Sequence, residues 1–464
     1  MWGVGTVALA VVLGVGGWAL WSGPLESGPS AAVDKKAAPR QAADDIRETV
    51  EAAPKGGAGH LVASVMTKEL EPKQGQATPG TWATSKTLVK GRYDRLEAVD
   101  IGSDTEAWTK ILPGPLCGET PMVTVDGRTA VLFRDRGKKD LCNQVAFFDL
   151  DTGDKLWQAG FPGQSKMGYT TDPTTVTMTK GVVVVSWEAK GAAAFDMRTG
   201  KQLWERKRSR LCYDTGFSGG RALNAVRVCS SANYTSSSYQ VQRIDARTGK
   251  AVWTYKVAKG VKGVFLVSSE PPVIGVGAGG PGGVTDLLSL DGKGKYRATV
   301  RLEGGHYEVK CDSFMIDRCY QVVVGRDQVF ITSGEQNEGV NETNNWVVGF
   351  SLATGKSGMK FDAGADQVLF PLRMSGDRLL AYKTSSDGYA PSSLVSLDPA
   401  TGKQRTYFYF SVADENAGLT YGGDLSDVLV EDGRLFFGAH GITGVGQKGS
   451  PLLVTSAFGV GRAG

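Results

Sequence analysis

The chain has 464 residues, of which 41% are hydrophobic and 22% charged, with 52 Lys and Arg set against 48 Asp and Glu. A formal charge of +4, with both signs interleaved along a composition that is otherwise globular, excludes the broad positive field by which nucleic acid is held. Glycine is the outlier at 63 residues, far above the usual share of about 7%, so this is a chain that turns often.

Residues 2–21 carry no charge, and twenty residues rising about 1.5 Å each match a hydrocarbon core of roughly 30 Å. Residues 1–22 are therefore expected to form a transmembrane signal anchor, with Trp2 at one interface and Trp18 and Trp21 at the other. The competing reading is a cleaved signal peptide. It asks for a shorter apolar region and a small-residue cleavage site, which Trp21-Ser22-Gly23-Pro24 does not supply. No cysteine precedes Cys117, so lipoprotein processing beside the apolar segment is excluded. Only Met1 stands before that segment, although a helix sending its C-terminal side outward carries Lys or Arg on the inner side. Either a mis-assigned start or a missing cytoplasmic segment is expected. Residues 23–60, rich in Ala, Pro, Gly and charge, read as a flexible linker in which Arg40 to Ala53 could form a short polar helix.

From Leu61 onward an internal repeat dominates. Phe148-Asp149-Leu150-Asp151-Thr152-Gly153-Asp154-Lys155-Leu156-Trp157 recurs around Asp196, Gly200 and Trp204 and again around Asp245, Gly249 and Trp253, always with Asp eight residues before Trp. The same spacing joins Asp100 to Trp108, and degenerate copies begin at Asp291, Ser351 and Asp398, the last with Gly402 at the glycine position. Successive copies are 49, 47, 49, 46, 60 and 47 residues apart, and a period near 47 accommodates four short strands with their turns. In each tag Asp and Thr-Gly make a tight turn between two strands, and the following Trp is placed to fill the space between adjacent sheets. After the seventh tag, 427–430, 433–437 and 452–455 supply three more strands, and Leu61 to Leu70 could supply a fourth and latch a ring closed. The expected architecture is an all-β propeller over 61–464, with eight four-stranded blades favoured over seven, behind an N-terminal transmembrane helix.

The six cysteines fall in neighbouring pairs, Cys117 with Cys142, Cys212 with Cys229 and Cys311 with Cys319. Fifteen pairings are formally open, and proximity within single repeats favours these three, which implies an oxidising compartment. Metal binding is not expected, because there is no C-x-x-C and only His60, His306 and His440 are available.

Asp-x-x-Thr-Gly-Lys-x-x-Trp resembles the pyrroloquinoline quinone (PQQ) type repeat of quinoprotein dehydrogenases and of non-catalytic propeller lipoproteins that assist outer-membrane protein assembly. The resemblance to the enzymes implies a Ca²⁺-bound quinone at the propeller axis, an acidic base and, in many members, a vicinal cysteine pair. No adjacent cysteines occur here and the acidic residues lie mostly in tags and turns. No catalytic residue is assigned and no cofactor is expected, with PQQ and Ca²⁺ left open.

Three local patterns are explained by the repeats. Gly275 to Gly280 satisfies G-x-G-x-x-G, but Pro281-Gly282-Gly283 follows where a dinucleotide fold needs a helix. Gly216 to Gly220 matches G-x-S-x-G without the strand-to-helix elbow that motif requires. Gly355-Lys356-Ser357 belongs to a tag. The one dense basic run, Arg206 to Arg210, reads as a solvated outer strand and turn. The expected function is that of a binding or scaffolding module, a single-pass protein of a bacterial cell membrane whose propeller lies outside and meets an envelope protein, peptide or glycan. A sensor ectodomain and a quinone-dependent oxidoreductase are the alternatives.

Overall fold

The computed structural model describes residues 41–462 apart from 136, 138–140, 165–173, 188–189, 234–235, 278–282, 303–305, 313–314, 335, 338–342, 413, 421–425 and 445–452. The apolar segment expected to span a membrane lies outside the described residues. Among those described, no helix is long and apolar enough to cross one.

The described residues form eight antiparallel blades, at 81–111, 116–164, 174–207, 212–256, 263–301, 307–362, 367–410 and 426–461. The inner strand of each blade comes first in the chain and the outer strand last. Blade 8 breaks this order, because its outer strand is His60–Lys68, paired antiparallel with Leu453–Gly461. The ring is thus closed by a strand from the other end of the sequence, as the apolar run after Gly59 suggested, and eight blades rather than seven are formed. Blade 6 departs from the pattern at its inner edge, where two short pieces, Tyr307–Glu308 and Val322–Val324, pair with Gln328–Ser333.

The middle strands of the blades are buried on both faces, since each sheet is sandwiched between two others, whereas the outer strands alternate exposed and covered residues. Val182–Trp187 is buried along its whole length, and its uninterrupted Val-Val-Val-Val run follows from having no solvent face.

The tags work as expected, with one addition. Asp196 Oδ1 accepts hydrogen bonds from the amides of Arg198 and Thr199 at 3.2 and 3.0 Å and from Thr199 Oγ1 at 2.9 Å. Asp149, Asp245 and Asp398 repeat the two amide contacts. Each Trp reaches into the tag of the next blade. Trp157 Nε1 donates to Met197 O at 2.7 Å, and the ring covers Gly200, where a Cβ would come within 2.8 Å of it. Trp108 sits in the same way on Gly153 and Trp204 on Gly249, while Trp253 takes Gly294 of the degenerate fifth tag. Gly200 has φ of +69°, so two demands fall on one residue: a left-handed backbone and no side chain under an indole. In the later tags the Trp position is taken by Thr299, Met359 and Thr406, and Met359 packs toward Gly402.

Trp157 is 9% exposed and stacks on Phe147, with ring centroids 5.5 Å apart, whereas Trp253 sits at a more open position. Trp157→Ala is expected to destabilise the propeller by about 3–5 kcal/mol, and Trp253→Ala by clearly less, as measured by chemical denaturation of the two variants side by side.

Candidate functional site

All tag turns and all turns from inner to second strands lie at one end of the ring, here called the upper end. The tag residues are therefore spread around a rim and converge on no site. The disulfides are also structural. Cys117–Cys142 and Cys212–Cys229 link strands within blades 2 and 4, and Cys311–Cys319 closes a loop before the inner strand Val322–Val324 of blade 6. These are the three pairs expected from proximity.

Residues 41–59 correct the expectation of a flexible linker with a short helix. They run extended across the upper mouth of the central channel, held at Asp44, Asp45, Arg47, Glu48, Thr49 and Glu51 by partners on the blade turns. Arg47 N donates to Val123 O at 2.8 Å and Val125 N to Asp45 O at 3.0 Å, adding a short antiparallel bridge to blade 2. Gly181 N of blade 3 donates to Asp44 O at 3.1 Å. Arg221 of blade 4 holds Glu48 through Nε and Nη2 at 2.6 and 2.7 Å. On blade 7, Arg373 donates to Thr49 O at 2.7 Å, to Thr49 Oγ1 at 2.8 Å and to Glu51, while Glu51 N donates to Ser375 Oγ at 2.8 Å. Gly433 N of blade 8 donates to Glu51 Oε2 at 2.5 Å. Blades 3 and 7 face each other in a ring of eight, so the strap crosses a full diameter. It then passes blade 7's outer strand, where Gly59 N donates to Tyr409 O at 2.7 Å, and becomes the closing strand of blade 8.

Between the strap and the inner strands lies a chamber of about 920 Å³. Trp82, Met122, Phe330, Leu372 and Met374 give it apolar walls, and Arg47, Arg221, Arg373, Glu270 and Glu431 give it a charged rim. Burial lowers the Arg47 guanidinium from its ordinary range against the opposing pull of Glu431, and burial raises the Glu431 carboxyl against the pull of Arg47.

The lower mouth is occupied by a second internal segment. The Cys311–Cys319 loop leaves blade 6 and crosses to the opposite side, where Arg318 pairs with the Glu119 carboxylate and donates to Glu119 O at 3.2 Å on the inner strand of blade 2. On the way Ile316 O accepts from Leu266 N of blade 5 at 2.7 Å, and Ile316 covers Gly216 of blade 4. A charged cluster surrounds the crossing. Burial pulls the Lys90 ammonium down to about 8 against Asp427 and Glu119; its Nζ donates to Thr78 O, Gly80 O and Thr81 Oγ1 at 2.5, 3.1 and 2.9 Å. Burial pushes the Asp317 carboxyl up to about 6. Burial alone would also raise Asp427, but the hydrogen bond with His440 at 3.0 Å and the positive charges of Lys90 and Arg318 hold it at about 2.

Among the described residues no three His, Cys, Asp or Glu side chains converge to hold a metal ion, and the passage between blades 2 and 6 is taken by Arg318 and its loop. The three motif look-alikes resolve as repeat structure where they are described: Gly216 to Gly220 ends the inner strand of blade 4 and turns, and Gly355 to Ser357 turns into an outer strand. Of Gly275 to Gly280, the first three residues close the strand Val273–Gly277 and the rest lie outside the described residues. The basic run is solvated as expected from Lys207 to Arg210, and only Arg206 is partly buried. Arg206 pairs with Asp214 at 2.8 Å and donates to Gly249 O at 3.1 Å, while Lys207 is exposed.

Eight four-stranded blades with Trp-on-Gly tags make this a PQQ-type repeat β-propeller. The sequence matches the family described as outer membrane protein assembly factor BamB over residues 47–212 and 222–404, well over half of the chain, and the protein belongs to that family. No curated protein matches. Similar solved structures include BamB from Moraxella catarrhalis, at 13% identity and TM-score 0.42 over 85% of this chain and 99% of that one. They also include the computationally designed Ika8 protein, at 13% and 0.46 over 86% and 100%, and the quinohemoprotein alcohol dehydrogenase ADHIIG from Pseudomonas putida HK5, at 12% and 0.47 over 88% and 77%.

The depressed Asp427 carboxyl ties stability to acid pH. Its folded value of about 2 lies below the ordinary 3.8, so its contribution is full above about pH 4 and is lost as pH falls toward 2. In calorimetric scans, Asp427→Asn is expected to melt below the wild type at pH 5–6, with the gap closing between pH 4 and 2.

Proposed function

We propose that this chain is a non-catalytic binding or scaffolding propeller of the bacterial envelope, held at the cell membrane by the segment expected to span it at 1–22, with its blades on the extracytoplasmic side. The observation that carries the reading is the crossing of the lower channel by the Cys311–Cys319 loop, which sets Arg318 against Glu119 where an axial cofactor would need space. Family membership supports protein partners, since the family is described by a role in outer membrane protein assembly. Three disulfides support an oxidising compartment. On this reading the upper face and the blade edges meet an envelope protein or peptide, with a glycan as the remaining class of ligand.

Titration of the purified protein with PQQ and Ca²⁺ is expected to leave tryptophan fluorescence and the thermal midpoint unchanged, with no cofactor-dependent dye reduction. A saturable rise in the midpoint accompanied by dye reduction would replace this reading with that of an oxidoreductase.

A further inference from the structure

We infer that the upper mouth is a recognition site for an extended acidic peptide of a second protein, and that residues 41–51 of this chain are its built-in competitor. The inference deepens the binding role proposed above and rests on it.

The strap is bound as a peptide ligand would be. Its backbone exchanges hydrogen bonds with the turns of blades 2 and 3, and its side chains are read by two arginines. Glu48 meets Arg221, and three residues on Glu51 meets Arg373, which also takes Thr49 O. Two carboxylates three apart in an extended segment, each facing a guanidinium on a different blade, form a charge-complementary pattern that another chain can supply equally well. Guanidinium–carboxylate pairs of this kind add geometric selection to charge.

Two features make the strap replaceable. The Glu48–Arg221 pair is half exposed, at 43% and 49%, and Val50, which stands at the edge of the chamber beside Gly376, is 70% exposed, so the strap leaves a large apolar side chain mostly in water. Beneath it, the chamber of about 920 Å³ offers partly open apolar walls from Met122, Leu372 and Met374. A partner segment with the same pair of carboxylates and a large apolar residue directed inward would gain the burial that Val50 forgoes. It needs that gain, because a tethered strap competes at an effective concentration in the millimolar range.

The test uses the full chain and a fluorescent peptide of residues 41–53. The wild type is expected not to bind the peptide at micromolar concentration. Glu48→Ala/Glu51→Ala, which weakens the internal strap, is expected to bind it saturably, with the strap amides losing protection in hydrogen exchange and the blade amides keeping theirs. A peptide with both glutamates changed to glutamine, or the addition of Arg221→Ala and Arg373→Ala to the protein, is expected to weaken binding at least tenfold. Absence of binding to a variant whose strap is released and whose blades remain protected would overturn the inference, as would binding indifferent to the two arginines. Should the double variant not fold, a protease site at Lys55 to Gly57 allows the strap to be cut in otherwise unchanged protein. Exchange of the cut strap for labelled peptide supports the site, and no exchange under hundredfold excess for a day overturns it. Failure here leaves the cofactor titration, and with it the broader scaffold reading, to stand or fall separately.

Discussion

Everything in this ring depends on one contact, the indole of one blade lying on the tag glycine of the next. A four-stranded sheet cannot bury both of its faces alone, and a wedge-shaped stack of sheets leaves a gap that widens toward the outside. An aromatic side chain of about 150–250 Å² fills that gap, and the glycine lets the indole come close enough to donate its N–H to the tag backbone, as Trp157 does to Met197 O. The Asp of the tag holds the glycine in place through its bonds to the two following amides. The turn, the packing and the spacing between blades are therefore one device, copied with small changes around the ring. Where the copies degenerate, from Thr299 to Thr406, smaller or more flexible side chains take over and Phe and Tyr packing carries the core, as in the cluster of Tyr382, Phe410, Phe437 and Phe458.

The same device explains how much was legible in the sequence. A periodic Asp and Trp expose the repeat length and the strand order within a blade, and the disulfide pairs follow from cysteines that lie close together within single repeats, because each of these is local. Closure of the ring was legible from leftovers: three strands after the seventh tag and an apolar run after Gly59. The strap was not. Residues 41–51 look like any polar tether, and Glu48 and Glu51 acquire meaning only when Arg221 and Arg373, more than 170 residues away in sequence, are brought beside them by the fold. The lower plug left a faint trace in the step of 60 residues between the fifth and sixth tags, where the surplus carries the Cys311–Cys319 loop. That surplus is long enough to reach across the channel, but its path is set by Ile316 meeting blades 4 and 5 and Arg318 meeting blade 2.

The two mouths are closed by different physics. At the lower mouth the loop is cross-linked to itself, anchored by a buried apolar side chain, and surrounded by charges whose values are pulled far from ordinary, as with Lys90 and Asp427. Removing Glu119 would leave the largely buried Arg318 guanidinium without its ion pair, a costly contact to break. At the upper mouth the strap is held by hydrogen bonds and by ion pairs of unequal exposure, Glu48–Arg221 half open to water and Glu51–Arg373 and Arg47–Glu431 largely buried, over a chamber it does not fill. A cross-linked loop below and a strap with one open end above give the two mouths different seals.

Pairing of His60–Lys68 with Leu453–Gly461 also governs how the molecule is made. The first strand to emerge during synthesis has no partner until the last strand has followed it, nearly 400 residues later. Blades 1 to 7 can form as the chain appears, each with neighbouring strands at short range, and the disulfides in blades 2 and 4 close small loops early. Until Leu453–Gly461 arrives, the ring is an open arc that bares sheet faces on its flanks, and the strap has no complete mouth to cross. An interrupted chain therefore displays a lone unpaired strand together with the free edge of Arg434–Ala439, and the ring is sealed only when its first and last strands meet.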